Sequence, residues 1–175
     1  MKRFFKRLLL AGCVLVGLVI FVFIVGALLP ARHTFTRSMR LRQPPAAVFS
    51  VLADVGGLTN WSRNVQRVEL LPAVDGHEAT RQTFKGGLVM TIVTSESESP
   101  SRLVRTMVDG EGPFSGSWTY ELKPADGGCR VVLTEQGEFR IPPFRVLARI
   151  LGLTKYADEH LEDLAKKFGE PAVIQ

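Results

Sequence analysis

Leu8 to Leu29, LLLAGCVLVGLVIFVFIVGALL, pass without one charged side chain. As a helix rising 1.5 Å per residue the run measures roughly 33 Å, enough to cross the hydrocarbon core of a bilayer. Lys2, Arg3, Lys6 and Arg7 precede it, and Pro30 and Arg32 close it. Three readings compete. A cleavable signal peptide has a shorter apolar region, about 7–15 residues, and a small-residue cleavage site. VGA (Val25–Ala27) resembles such a site, but the run is too long. LAGC (Leu10–Cys13) resembles a lipobox, but it follows Arg7 closely and the chain stays apolar long after it. An uncleaved single-pass anchor accounts for the whole run best.

The expected division is a cytoplasmic tail and transmembrane anchor over residues 1–30 and one domain over 31–175. That second part is the size of an ordinary domain and can bury a real core. The cations before the span favour the N-terminus inside an inner or plasma membrane, with the domain extracytoplasmic. Arg32, Arg37, Arg40 and Arg42 follow the span and leave this bias small. The formal net charge of +5 over the chain is mostly the membrane flank. Without the first four cations, 18 Lys and Arg face 17 Asp and Glu, so no basic domain suited to nucleic acid is expected. Cys129 is alone outside the apolar run, which excludes an intradomain disulfide.

Beyond the run, HTFTRSMRLRQ (residues 33–43) sets Phe35, Met39 and Leu41 at mostly even spacing and predicts a half-buried strand. Pro44 and Pro45 open a short helix carrying Val48, Val51, Leu52 and Val55, which Gly56-Gly57 stops. LTNWSRNV predicts another helical turn, with the large indole of Trp61 among polar neighbours. About six antiparallel strands then follow, separated by turn signals at short intervals. Those signals are Asp75-Gly76, Gly86-Gly87, Ser99-Pro100-Ser101, Asp109-Gly110 and Asp126-Gly127-Gly128. After Pro142-Pro143, residues Leu147, Ile150, Leu151, Ala157, Leu161, Leu164, Ala165 and Phe168 recur at three and four. They predict one amphipathic helix of about five turns or more, ending at Gly169 and Pro171. The fold class is α+β: a curved antiparallel sheet around a long C-terminal helix, each burying the other's apolar face.

Two stretches, PPAAVFSVLADVGGLTNWSRNVQRVELL and GSWTYELKPADGGCRVVLTEQGEF, carry a family resemblance. With the strand order, the chain over residues 33–169 resembles the helix-grip fold of the START-like, or Bet v 1-like, superfamily. It is most similar to the polyketide cyclase/dehydrase and lipid-transport (SRPBCC) group. The motifs are helix, turn and hairpin pieces, specific for fold and weak for function. The resemblance implies an apolar cavity between sheet and C-terminal helix. Members bind lipids, sterols, quinones, polyketides or plant hormones, and some are cyclases or aromatases.

No spacing of His, Cys, Asp or Glu makes a metal site, and the glycine pairs are turns rather than phosphate loops. GPFSGSW lies at a strand entry with no helix to hold a nucleophile. No cofactor, metal or catalytic constellation is therefore expected, nor a compact titratable pair on the inner face. Trp61, Phe84, Met90, Met107, Phe114, Trp118 and Tyr120 are the large adaptable candidates for a ligand wall. Alternation places Trp118 and Tyr120 on one face. Trp61 is expected mainly to pin its turn. Tyr156 and His160 share one helix face, at the edge of its apolar stripe. Arg105 lies in phase with Leu103 and Met107, where it would meet an anionic head group or snorkel to the rim. The expected function is membrane-anchored binding or transport of a hydrophobic small molecule, with the membrane and that ligand as partners. A cyclase/aromatase-like enzyme and a protein-interaction module with a filled cavity are the alternatives.

Overall fold

The computed structural model describes residues 2–108 and 112–175. The turn expected at Asp109-Gly110 lies outside the described residues. Helix α1 (Lys2–Leu28) leads into strand β1 (Arg32–Leu41), helix α2 (Pro45–Ala53) and a short 3-10 helix (Gly56–Asn60). Strands β2 (Val65–Val74), β3 (His77–Phe84), β4 (Val89–Glu98), β5 (Arg102–Met107), β6 (Phe114–Ala125) and β7 (Gly128–Phe139) follow. Helices α3 (Pro142–Leu151) and α4 (Lys155–Lys167) end the chain.

The strands form one antiparallel sheet ordered β1-β7-β6-β5-β4-β3-β2. Each consecutive pair from β2 to β7 is antiparallel and adjacent in the sheet. The first strand alone crosses over, to pair with the last. Beyond β1, Gln175 and Ser38 exchange two backbone hydrogen bonds, covering part of that edge.

Strand period 2 sends Met39, Leu41, Leu103, Tyr120, Leu122, Val131 and Leu133 to the inner face, all buried. Against them α4 presents Ala157, Leu161, Leu164 and Ala165, and α2 presents Val48 and Leu52. A second cluster, Val55, Leu58, Val65, Phe84 and Ile92, fills the space beneath the 3-10 helix. Polar ties fix α4 over the sheet. Arg37 of β1 pairs with Asp158 at 2.9 Å. Arg63 donates from its backbone N and from Nε to Asp163 at 2.6 and 2.7 Å. Asn64 donates to Glu159 at 2.8 Å. Two of the polar residues near Trp61, Arg63 and Asn64, are thus partners of acids on α4.

The single long C-terminal helix expected from periodicity is two helices. Gly152 holds φ at +90°, a conformation that ends α3 and that side chains disfavour. The stripe also splits in function. Leu161 and Leu164 are fully buried, whereas Leu147, Ile150 and Leu151 are exposed. Rather than joining that core, α3 packs on α1. The latter is long and apolar enough to cross a membrane.

Candidate functional site

Because α4 covers only one end of the inner face, the other end is roofed by α3 and the Gly152 joint. A cavity of about 440 Å³ remains between them and the sheet. Its floor is backbone. Gly116 of β6 and Gly137 of β7 face each other in the register, and both line the space. A Cβ at Gly116 would sit 2.9 Å from the Gln136 carbonyl oxygen, and one at Gly137 would overlap the His33 ring. The missing side chains let the Gln136 backbone approach Gly116 and let the His33 ring lie over Gly137.

The walls are mostly apolar. Phe84, Met90, Met107, Phe114, Trp118 and Tyr156 line this cavity, with Leu88, Phe139, Phe144, Ala148 and Leu151 around them. Phe114 and Phe144 meet edge to face, 6.2 Å between centroids, which joins β6 to α3. Phe84 meets Tyr156 in the same way at 5.9 Å. Lys85 and Lys155 stand at the margin.

A hydrogen-bonded polar group, Glu135 with His33, is set into the wall. Glu135 of β7 accepts from Trp118 Nε1 at 2.8 Å through one oxygen. Its other oxygen lies 3.2 Å from His33 Nε2. A carboxylate only accepts, so this contact places a proton on Nε2. The His33 ring stacks on Phe139, 4.9 Å between centroids. This corrects the expectation that no compact titratable pair faces inward. His33 and Glu135 are 102 residues apart and meet only through the β1–β7 register.

Deeper, beneath α4, a void of about 30 Å³ is lined by Arg105, Tyr120, His160 and Gln82, and it shares Phe84, Trp118 and Tyr156 with the main cavity. Tyr120 Oη and His160 Nε2 are hydrogen-bonded at 3.0 Å. Tyr156 stacks on the His160 ring at 6.2 Å and 19°. Both residues turn inward from the edge of the α4 stripe. Burial, helped by the Arg105 cation, pulls His160 down to about 4. Burial pushes the Tyr120 hydroxyl up to about 12, against the opposing pull of Arg105. Tyr156 is raised for the same reason, desolvation.

Arg105 is only 5 % exposed, so it does not snorkel to the rim. Its Nη2 donates to the Leu52 carbonyl at 2.5 Å, its Nε has no protein partner, and burial lowers its pKa. Trp61 lines neither space. Its indole packs between the two core clusters and leans on His160, 5.0 Å between centroids. Among the described residues, no three His, Cys, Asp or Glu side chains converge as a metal site would require.

A curved seven-stranded antiparallel sheet gripping a C-terminal helix, with an apolar cavity held between them, defines the helix-grip, Bet v 1-like class. The chain belongs to the polyketide cyclase/dehydrase and lipid transport family, whose model matches residues 32–169. An aromatase/cyclase from Streptomyces sp. R1128 superposes with a TM-score of 0.65 at 16% identity, over 78% of this chain and 93% of that one. A Thermobifida fusca protein solved by NMR gives 0.59 at 26% identity, over 78% and 93%. A Thermus thermophilus protein gives 0.58 at 26%, over 77% and 92%. Among curated proteins, none matches this chain in sequence.

Proposed function

We propose that this protein binds a hydrophobic small molecule, such as a lipid, quinone or polyketide-like compound, and holds it beside a membrane. In this reading residues 1–30 are an anchor with its basic end in the cytoplasm, and residues 31–175 are the extracytoplasmic binding domain. The observation that carries the reading is the cavity of about 440 Å³ with a glycine floor and mostly apolar walls. A ligand gains about 25 cal/mol for each Å² of apolar surface it buries there, before the entropy of binding is subtracted. An open cavity argues against an interaction module with a filled core.

The test uses the full chain extracted in detergent. Organic extraction and mass spectrometry should recover a lipophilic compound in near-stoichiometric amount. Ala148→Trp, placed on α3 where it faces the cavity, should cut that yield about tenfold while the fold is kept, since 1.4 kcal/mol of lost burial suffices. Equal yields from both proteins, or none from either, would sink the binding reading.

An enzymatic reading has the polar groups of both spaces in its favour. Glu135 with His33 and Trp118 at the main wall, and Arg105 with Tyr120 and His160 in the annex, offer polar groups to a carbonyl-rich ligand. The structural similarity to an aromatase/cyclase points the same way. Here Glu135→Gln should leave ligand binding intact and abolish ring closure of a poly-β-ketone analogue.

A further inference from the structure

The apolar edge of α3 needs an occupant. Ile150, which does not line the cavity, is 75 % exposed, and Leu151 and Leu147, which line it from α3, are still 59 % and 48 % exposed. Next to them, Leu88 and Met107 line the cavity, and their neighbours Val89 and Val108 are exposed as well. Along α3 and beside Leu88 and Met107 the opening therefore has an apolar edge, while Lys85 and Lys155 also line the cavity.

The position of α3 says what covers this rim. Gly26 of α1 is buried, and Val22, Val25 and Leu29 are partly covered, at the three-and-four spacing of one helix face. A Cβ on Gly26 would overlap the Pro142 backbone, so helix α3 begins in direct contact with α1. Arg145 of α3 donates from Nη1 to the carbonyls of Gly26 and Leu29, at 3.3 and 3.4 Å. These are carbonyls at the end of α1, where helical partners run out. Its Nε donates to the Phe139 carbonyl at 2.8 Å, which ties the same guanidinium to the end of β7. Val22 to Leu29 belong to the uncharged run, and at 1.5 Å per residue Val22 lies roughly 10 Å along the axis from Leu29. A helix packed on these residues sits at the depth of the span's last turns. Exposed Arg149, in the last turn of α3, is a cation suited to lipid phosphates.

We propose that α3 lies in the interfacial layer of the bilayer that α1 crosses, with its Ile150–Leu151 edge among the acyl chains. The cavity then opens onto lipid, and a ligand passes between bilayer and cavity along α3 without crossing water. The inference rests on the anchor reading of α1.

The test labels the full chain, in a Cys13→Ser background, at Ile150→Cys with an environment-sensitive dye. Cys129 is buried and leaves the label on one site. A second protein carries the label at Asp126→Cys, in the hairpin at the far end of β6. Both are reconstituted in phosphatidylcholine/phosphatidylglycerol vesicles containing spin-labelled lipid. The dye at 150 should be quenched several-fold more than the dye at 126. Protein that floats with the vesicles but shows equal quenching at both positions overturns the interfacial placement and leaves the anchor standing. Protein that does not float overturns the anchor and the placement with it. Ile150→Asp should slow transfer of a lipophilic fluorescent probe from vesicles to the cavity about tenfold, with unchanged binding of the probe in detergent. An unchanged transfer rate overturns the route along α3.

Discussion

His160 shows what burial does to a single side chain. Its ring is enclosed by Trp61, Tyr156 and Tyr120, with one hydrogen bond, to the Tyr120 hydroxyl. With Arg105 nearby as well, the neutral ring is the form that fits. The unfolded chain takes up that proton near pH 6.5 and the folded one near 4, so between these values the unfolded state binds more protons. The associated stability is complete above about pH 6.5 and is lost as the pH falls toward 4, on the order of 3 kcal/mol in all. Thermal unfolding of the wild type and of His160→Gln should therefore converge as the pH is lowered from 7 to 4. Parallel curves would count against this account. The pairing of Tyr156 and His160 on one face was legible from their spacing, because helix geometry is local. The pairing of His33 with Glu135 was not, because it depends on which strand the first one joins.

Gly152 decides how the C-terminal segment divides. The apolar spacing on either side of it is compatible with one helix, and periodicity alone does not register a single glycine as a break. At φ +90° the chain turns there, so that α3 roofs the cavity and α4 closes the core. Gly152→Ala should cost on the order of 1–3 kcal/mol, as a non-glycine residue forced into that region does, read from the shift in the urea midpoint. An unshifted midpoint would mean that the joint tolerates an ordinary backbone. The hairpins β2–β3, β3–β4, β4–β5 and β6–β7, by contrast, were legible because each is closed by its own turn residues. The crossover of β1 was not, since no local signal names a strand's distant partner.

Sheet and helices act together through two opposed demands. One end of the inner face is filled: Leu161 and Leu164 of α4 pack in one buried cluster with Met39, Leu133 and their neighbours. Leu161→Ala should destabilise the fold by about 2–5 kcal/mol, measured by chemical denaturation, with the cavity under α3 retained. A loss below about 1 kcal/mol would mean that the core closes over the gap. The other end is left open by the Gly116–Gly137 floor and the raised α3. The amino-acid sequence by itself determined the elements: the uncharged run, the proline-opened helix, the turn-punctuated strands and the amphipathic ending. Each of these follows from forces acting within a few residues, or from the periodicity of apolar side chains. Only the tertiary structure decided that Glu135 meets His33, that Arg105 is buried beside Tyr120 and His160, and that α3 leaves the core to join the end of α1. Most of those contacts join residues scores of positions apart in the chain, and packing alone selects them.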